Sequence, residues 1–272
     1  MEGRLNVVTS PTAGKVTQQL ASAGRELCLV AALYGVYRLG RQLAEGQEYL
    51  ARANARVVHG LETRLSLPSG DAVQGWFSDG ALHWANVYYV SAHFPVVLAF
   101  LVWGFTMRPR EEYVWARSLL VVQTFLALVL HIAIPLAPPR MFPRWGFQDT
   151  MAAIGPSAYE GPSAAISNQF AAMPSLHVGW AVLVAVVVAR TTVGPLRLIA
   201  GAHAVVTTLV VIVTANHWWI DGVVAVALLG VALSFFPGPA RRSPLVRRCH
   251  TLPFARREHG GPRTRAHGSL AR

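Results

Sequence analysis

The hydrophobic positions along the chain gather into long apolar runs that alternate with short polar stretches. A membrane-spanning helix requires about 20 mostly apolar residues. Five stretches of the sequence meet this requirement, at positions 87–107, 114–137, 176–193, 196–215 and 218–236. The pattern therefore predicts an all-α polytopic membrane protein.

A shorter apolar run at positions 24–43 is flanked by charged residues. We count this run as the first span, and a helix lying in the membrane interface is the alternative. With this run included, the predicted fold is a six-transmembrane-helix bundle.

The segment at 41–68, between the first two predicted spans, carries apolar residues at helical spacing among many polar ones. This spacing is typical of an amphipathic helix that lies on a membrane surface. Its apolar positions are Leu50, Val57, Val58, Leu61 and Leu65. We expect this amphipathic helix at the outer face of the bundle.

The composition also favours a membrane protein, because 53% of the residues are hydrophobic and 14% are charged. Soluble domains contain roughly 25% charged residues. The net charge of +11 comes largely from arginines in the segment 238–272, where Glu258 is the only acidic residue. A basic segment after a membrane span is typical of a disordered cytoplasmic tail that contacts anionic lipid, rather than of a nucleic-acid-binding arm. We therefore divide the chain into a polar N-terminal segment at 1–23, a membrane domain at 24–237 and this tail.

The tail sets the predicted orientation of the spans, since cytoplasmic loops are enriched in lysine and arginine. With the tail inside, two short loops that carry arginines also fall inside, one with Arg108 and Arg110 and the other with Arg190 and Arg197. The loops at 41–86 and 138–173 then fall outside, although the first of them carries arginines as well. We predict a multi-pass protein of the cell membrane whose functional site faces away from the cytoplasm.

Four polar residues from distant parts of the sequence meet at this outer face in the predicted topology: Arg140, His177, His217 and Asp221. Asp221 follows His217 by four residues, so the two share one face of a helix. A carboxylate that bonds one imidazole nitrogen leaves the other nitrogen free. His217 is thus a candidate nucleophile with Asp221 as its orienting group. The alternative is a buried hydrogen-bonded pair that stabilises helix packing, but ionisable residues within a span are functional by default.

The start of the 176–193 span has the features of an anion-binding helix end. Pro174 and Ser175 precede it, and serine is a good helix cap. A helix N-terminus binds anions through its free amide groups. His177 lies in this first turn, where it can protonate a leaving oxygen. A capped helix with an interfacial histidine is the alternative.

Arg140, which follows two prolines, is a candidate residue for binding a phosphate group. The guanidinium group binds phosphate through paired donors. An arginine that only contacts lipid headgroups is the alternative, with Arg144 as the second choice for the phosphate ligand. Asn86 and Tyr88, near the outer end of the second span, are candidate headgroup contacts, or else interfacial anchors and helix-to-helix hydrogen bonds.

Several common cofactor motifs are missing from the sequence, which has no Gly-rich phosphate loop, no CxxC and no HExxH. Its two cysteines, Cys28 and Cys249, predict neither a disulfide framework nor a metal site. We therefore expect phosphoryl chemistry without a metal or a cofactor.

The residues 174–177 read P-S-L-H, and 217–221 read H-W-W-I-D. These two motifs resemble the P-S-G-H and H-x-x-x-D motifs of the phosphatidic acid phosphatase type 2 superfamily, and the resemblance spans about 85–237. The usual K-x6-R-P motif is absent, with P-P-R at 138–140 in its place, and Val210 and Val211 stand where the superfamily has Ser-Arg. These departures resemble the inositol phosphotransferase branch, which includes inositol phosphorylceramide synthase-like proteins.

The resemblance implies that His217 attacks the phosphorus of a lipid phosphoester, that His177 protonates the leaving alcohol and that a phosphohistidine forms. Water or an alcohol then accepts the phosphoryl group, and no metal is needed. With one phosphate-binding arginine missing, Arg140, Ser175 and Asn216 are left as the candidate phosphate ligands. We expect a lipid headgroup transferase, with a lipid phosphate phosphatase as the first alternative and a non-catalytic transporter or scaffold as the second.

Overall fold

The computed structural model describes residues 46–159 and 168–239, together with scattered residues between 21 and 35. The predicted polar N-terminal segment, the basic tail and most of the first predicted span lie outside the described residues. The described helices are α1 (Glu48–Arg64), α2 (Gly70–Gln74), α3 (Asp79–Ser91), α4 (His93–Met107), α5 (Arg110–Ala133), α6 (Thr150–Ile154), α7 (Leu176–Thr191), α8 (Leu196–Val213) and α9 (Trp219–Phe235). Two 3₁₀ turns follow α5, at Pro139–Met141 and Pro143–Trp145.

The part of the chain that the structure describes is all-helical, and its apolar helices indicate a membrane protein. By length and composition α5 and α8 can each cross a membrane, and α3 with α4 makes a third candidate as a bent pair. The apolar helices α7 and α9 are shorter, with 16 and 17 residues. The described residues thus contain two or three candidate spans, and the six-span bundle stays a prediction.

The predicted span at 87–107 is not one continuous helix, because it includes the break between α3 and α4, which meet at an angle of 43°. Helix α3 begins at Asp79, where the Ser78 hydroxyl accepts a hydrogen bond from the amide of Ala81. The break lies at Ala92, and Pro95 lies in the first turn of α4. Proline has no amide hydrogen to donate to the carbonyl four residues earlier, so it bends a helix at this point.

The centre of the bundle is formed by α5, α7 and α9, which pack through residues such as Leu119, Leu183 and Leu229. Gly179 of α7 allows this close approach. A Cβ atom at this position would lie 2.7 Å from Nε2 of Gln123, which itself donates a hydrogen bond to the Ala225 carbonyl. Small residues at helix contacts let backbones come close in membrane proteins. The packing brings the starts of α7 and α9 together, and we call this end of the bundle the site end.

Helix α1 packs against the site end through a face of small residues. Ala51 and Ala55 are fully buried, and the Ala51 carbonyl accepts a hydrogen bond from the amide of Ala137. The side-chain amide of Asn54 donates to the Pro135 carbonyl. The predicted helix is therefore present. Of its five apolar positions only Val58 is buried, while Leu50, Val57, Leu61 and Leu65 are exposed. Contact of these exposed residues with a membrane stays a prediction.

Candidate active site

The backbone itself ties four segments together at the site end. The amide of Arg140, after α5, donates to the Ala215 carbonyl after α8. The amide of Ser175, before α7, donates to the Asp221 carbonyl in α9. An isolated parallel bridge joins Leu136 to Ala171. Because these contacts fix the ends of the helices, residues that are distant in sequence share one compact site.

The first turn of α9 is held by two carboxylates. Asp221 is fully buried, and its Oδ2 atom accepts a hydrogen bond of 2.7 Å from the amide of Trp218. The carboxylate of Glu62 in α1 accepts a hydrogen bond of 3.0 Å from the amide of Ile220. These amides are among the donors that have no partner inside the helix. Carboxylates are favoured here because a helix N-terminus carries a partial positive charge.

His217 lies just before α9, and its Nδ1 atom has two oxygen neighbours. The carbonyl of Ala172 is 2.8 Å away, and Oδ2 of Asp221 is 3.4 Å away. A carbonyl oxygen only accepts hydrogen bonds, so Nδ1 carries the hydrogen and Nε2 has a free lone pair. The backbone of Ala172, rather than Asp221, is thus the closer group that sets the tautomer.

The protonation of His217 follows from its surroundings. Burial lowers the pKa of His217 to about 4, with a further lowering by the charge of Arg140, while the hydrogen bond to Ala172 acts in the opposite direction. The imidazole is therefore neutral near pH 7. A neutral imidazole with a free Nε2 has the form that a nucleophile needs.

His177 lies in the first turn of α7, where the Ser175 hydroxyl accepts a hydrogen bond from the amide of Val178. The His177 ring is stacked on Tyr89 with 4.3 Å between ring centroids, and the His93 ring is 4.2 Å away on the same measure. The centroid of the His217 ring is 5.8 Å from that of His177. The rings of the two histidines thus lie next to each other at the site end.

Arg140 is 7% exposed, and three side chains fix its guanidinium group. Its Nε atom donates to Oδ1 of Asn216 at 3.1 Å, and its Nη1 atom donates to Oδ2 of Asp149 at 3.4 Å. The guanidinium carbon lies 3.9 Å from the centre of the Tyr159 ring, and the Tyr159 hydroxyl donates to Asn216 as well. We call Arg140, Asn216, Asp149 and Tyr159 the arginine pocket.

One nitrogen of this guanidinium, Nη2, is buried and has no hydrogen-bond partner among the described residues. A buried donor without a partner is costly. An anion bound beside Nη2 would satisfy this donor. Arg144, the second choice for a phosphate ligand, is exposed.

Three polar residues of this region were not predicted from the sequence: Glu62, Asp149 and Tyr159. Glu62 is 8% exposed, and burial raises its pKa to about 7, with a further rise from the charge of Asp221 that hydrogen bonds to the α9 backbone oppose. A signal for Glu62 existed, because it follows Ala51, Ala55 and Val58 on the buried face at helical spacing. Asp149 and Tyr159 lie in an irregular loop, where no periodic pattern points to them.

Asn86 and Tyr88, the two candidate headgroup contacts, bond to other parts of the protein. Asn86 is fully buried, and its side chain exchanges hydrogen bonds with the hydroxyl and the carbonyl of Thr150. The Tyr88 hydroxyl lies 2.6 Å from Nδ1 of His203 and 3.0 Å from the Thr207 hydroxyl. These bonds connect α3 to α6 and α8, and contact of either residue with a lipid headgroup stays a prediction.

Within the part of the chain that the structure describes, no group of three or more histidine, cysteine, aspartate or glutamate side chains is arranged to hold a metal ion. The expectation of a reaction without a metal or a cofactor stays a prediction.

Apolar helices with two histidines, an aspartate and an arginine at one end define a class of protein: a membrane protein with a candidate phosphoryl-transfer site. The family model of the PAP2 superfamily matches residues 56–235, which is more than half of the chain. The chain therefore belongs to the PAP2 superfamily, whose members are generally phosphatases or phosphotransferases. No curated protein and no solved structure matches this chain.

Proposed function

We propose that this protein transfers a phospho-headgroup from a membrane lipid to an alcohol, through a phosphohistidine at His217. The observation that carries this proposal is the pairing of a neutral His217, with Nε2 free, and an arginine pocket with one unpaired donor. A nucleophile and an anion-binding group at one site are the minimum set for phosphoryl transfer.

In the first half-reaction, Arg140 and the amide groups at the start of α7 bind the phosphate of the donor lipid. The Nε2 lone pair of His217 attacks phosphorus, and the bond from phosphorus to the lipid oxygen breaks. The negative charge of the bound phosphate favours the protonated form of His177. His177 donates this proton to that oxygen, so the lipid leaves as a neutral alcohol. The headgroup phosphate stays on His217 as a phosphoramidate.

In the second half-reaction, neutral His177 takes the proton from the hydroxyl of the acceptor, whose oxygen attacks phosphorus. The bond from phosphorus to Nε2 breaks, and His217 and His177 return to their starting states. With a lipid alcohol as acceptor, the product is a new lipid that carries the headgroup of the donor. With a lipid phosphomonoester as donor and water as acceptor, the same steps release free phosphate. This phosphatase is the second candidate, which membership of the superfamily favours.

The test uses the purified full-length protein in mixed micelles with a phospholipid extract, phosphatidic acid and candidate lipid alcohols such as ceramide and diacylglycerol. New headgroup lipids are followed by mass spectrometry, and free phosphate is assayed in the same samples. We expect His217→Ala to abolish turnover, a loss of at least about 10⁴-fold, as for the removal of a covalent nucleophile. His83→Ala is the matched control, because His83 is exposed on α3.

Each outcome has a definite meaning. New headgroup lipids that depend on His217 support the transferase. Free phosphate as the only product, again dependent on His217, replaces it with the phosphatase. Equal turnover by the parent and His217→Ala contradicts both, and no turnover by any preparation favours the non-catalytic transporter or scaffold.

A further inference from the structure

We propose that Asp149 is a specificity-determining residue that makes the arginine pocket prefer a monoanionic phosphodiester to a dianionic phosphomonoester. The inference rests on the proposed function, since it concerns the phosphate group that the site binds.

The positive charge of Arg140 has a counter-charge before any substrate binds. Oδ2 of Asp149 lies 3.4 Å from Nη1 of Arg140, so the two form an ion pair. The other oxygen of Asp149 accepts a hydrogen bond from the amide of Ala152 and caps α6. Because this cap holds the carboxylate in place, Asp149 stays beside Arg140 when a ligand arrives.

The helix ends add little positive charge. The start of α9, equivalent to about half of an elementary charge, already binds the carboxylates of Asp221 and Glu62. The start of α7 is capped by the neutral hydroxyl of Ser175. At pH 8, where the His177 imidazole is neutral, this α7 end and the partly compensated Arg140 are the groups among the described residues that are left to balance the charge of a ligand.

A phosphomonoester carries close to two negative charges above its second pKa of about 6. A phosphodiester carries one. An excess negative charge in a buried site is unfavourable because the protein interior solvates it poorly. The balance of charges at the site end thus fits one negative charge better than two, and the carboxylate of Asp149 is what sets this limit.

The experiment compares two small anions at pH 8, dimethyl phosphate as the diester and methyl phosphate as the monoester. Their binding to the full-length protein in detergent is measured by ³¹P NMR titration, which needs no turnover. In the parent we expect tighter binding of dimethyl phosphate. In Asp149→Asn we expect methyl phosphate to bind about tenfold more tightly than it binds the parent, because a unit negative charge next to the anion is gone.

A purely structural role for Asp149 gives a different result, because loss of its bond to Arg140 then lowers the affinity for both anions to the same extent. The proposal is overturned if the ratio of the two affinities is the same in Asp149→Asn as in the parent. It is also overturned if the parent binds methyl phosphate more tightly than dimethyl phosphate. Asp79→Asn is the matched control, since Asp79 is an exposed aspartate at the start of another helix. Arg140→Ala is expected to abolish binding of both anions.

The binding ratio and the turnover assay fail independently. Loss of selectivity in Asp149→Asn together with turnover that does not depend on His217 contradicts the proposed function but keeps the charge limit. Turnover that depends on His217, together with an unchanged binding ratio in Asp149→Asn, supports the proposed function and contradicts the charge limit.

Discussion

The two sides of the candidate active site use carboxylates in different ways. On the α9 side, Asp221 and Glu62 accept hydrogen bonds from backbone amides, and thereby hold the turn that presents His217. In the arginine pocket, Asp149 binds the guanidinium of Arg140. A carboxylate on the α9 side therefore acts by positioning the nucleophile, whereas the carboxylate in the pocket acts on the charge that a substrate meets. Variants on the two sides are expected to change different kinetic constants.

The largest effect after loss of His217 itself is expected for Arg140→Lys. Lysine is a point charge without the planar fork of the guanidinium, so it cannot bond Asn216 and an anion in the same geometry. We expect kcat/KM to fall about 100-fold, mainly through a higher KM. The matched control is Arg144→Lys, which is expected to leave both constants unchanged because Arg144 is exposed. An Arg140→Lys enzyme with parental KM contradicts a phosphate-binding role for Arg140.

The second largest loss of activity is expected for Asp221→Asn, as a lower kcat. An enzyme in which a carboxylate alone sets the histidine tautomer loses roughly 10⁴-fold when that carboxylate becomes an amide. Here the Ala172 carbonyl is the nearer partner of Nδ1, so we expect a smaller loss, of about 10- to 100-fold in kcat with KM unchanged. A loss as large as that of His217→Ala contradicts the role given to Ala172.

The smallest effect is expected for Glu62→Gln, which changes how the stability of the folded protein depends on pH. The pKa of Glu62 is raised from 4.5 to about 7 in the folded protein, so the folded state binds this proton more tightly than the unfolded state does. The stability that this proton contributes is complete below about pH 4.5, and is lost as the pH rises through about 7. Thermal unfolding of the protein in detergent, measured between pH 5 and 9, checks the difference between variant and parent.

We expect the Tm of Glu62→Gln, relative to the parent, to rise by a few degrees as the pH increases through 7. Glutamine keeps an acceptor for the amide of Ile220 and carries no charge. Glu48→Gln is the matched control on the same helix, because the side chain of Glu48 is 58% exposed. A constant Tm difference between Glu62→Gln and the parent contradicts the raised pKa.

These two sides also differ in how far the sequence predicts them. His177, His217 and Asp221 belong to short motifs at the starts of apolar runs, and helix α7 begins at Leu176, where the predicted run begins. Each of these residues lies within about one turn of a helix start, so the ends of the apolar runs locate them, although His217 itself precedes α9. The superfamily assignment agrees with the resemblance that these motifs suggest, whereas the inositol phosphotransferase branch stays a prediction.

The contacts that the sequence does not predict come from irregular backbone. Ala172 acts through its carbonyl, so its side chain carries no signal. Asp149 and Tyr159 reach Arg140 only because of the path of the loop after α5. The bend between α3 and α4 was missed for another reason: Pro95 lies inside an apolar run that hydropathy alone reads as continuous.

The central claim is that His217 becomes covalently modified during turnover. The most direct measurement is a rapid quench of the full-length protein with a lipid substrate, at alkaline pH to preserve phosphohistidine, followed by peptide mass spectrometry. The account predicts a phospho-headgroup or phosphoryl mass on the peptide that contains His217, and its absence in His217→Ala. The same adduct on another residue, or turnover without any adduct on His217, contradicts the account.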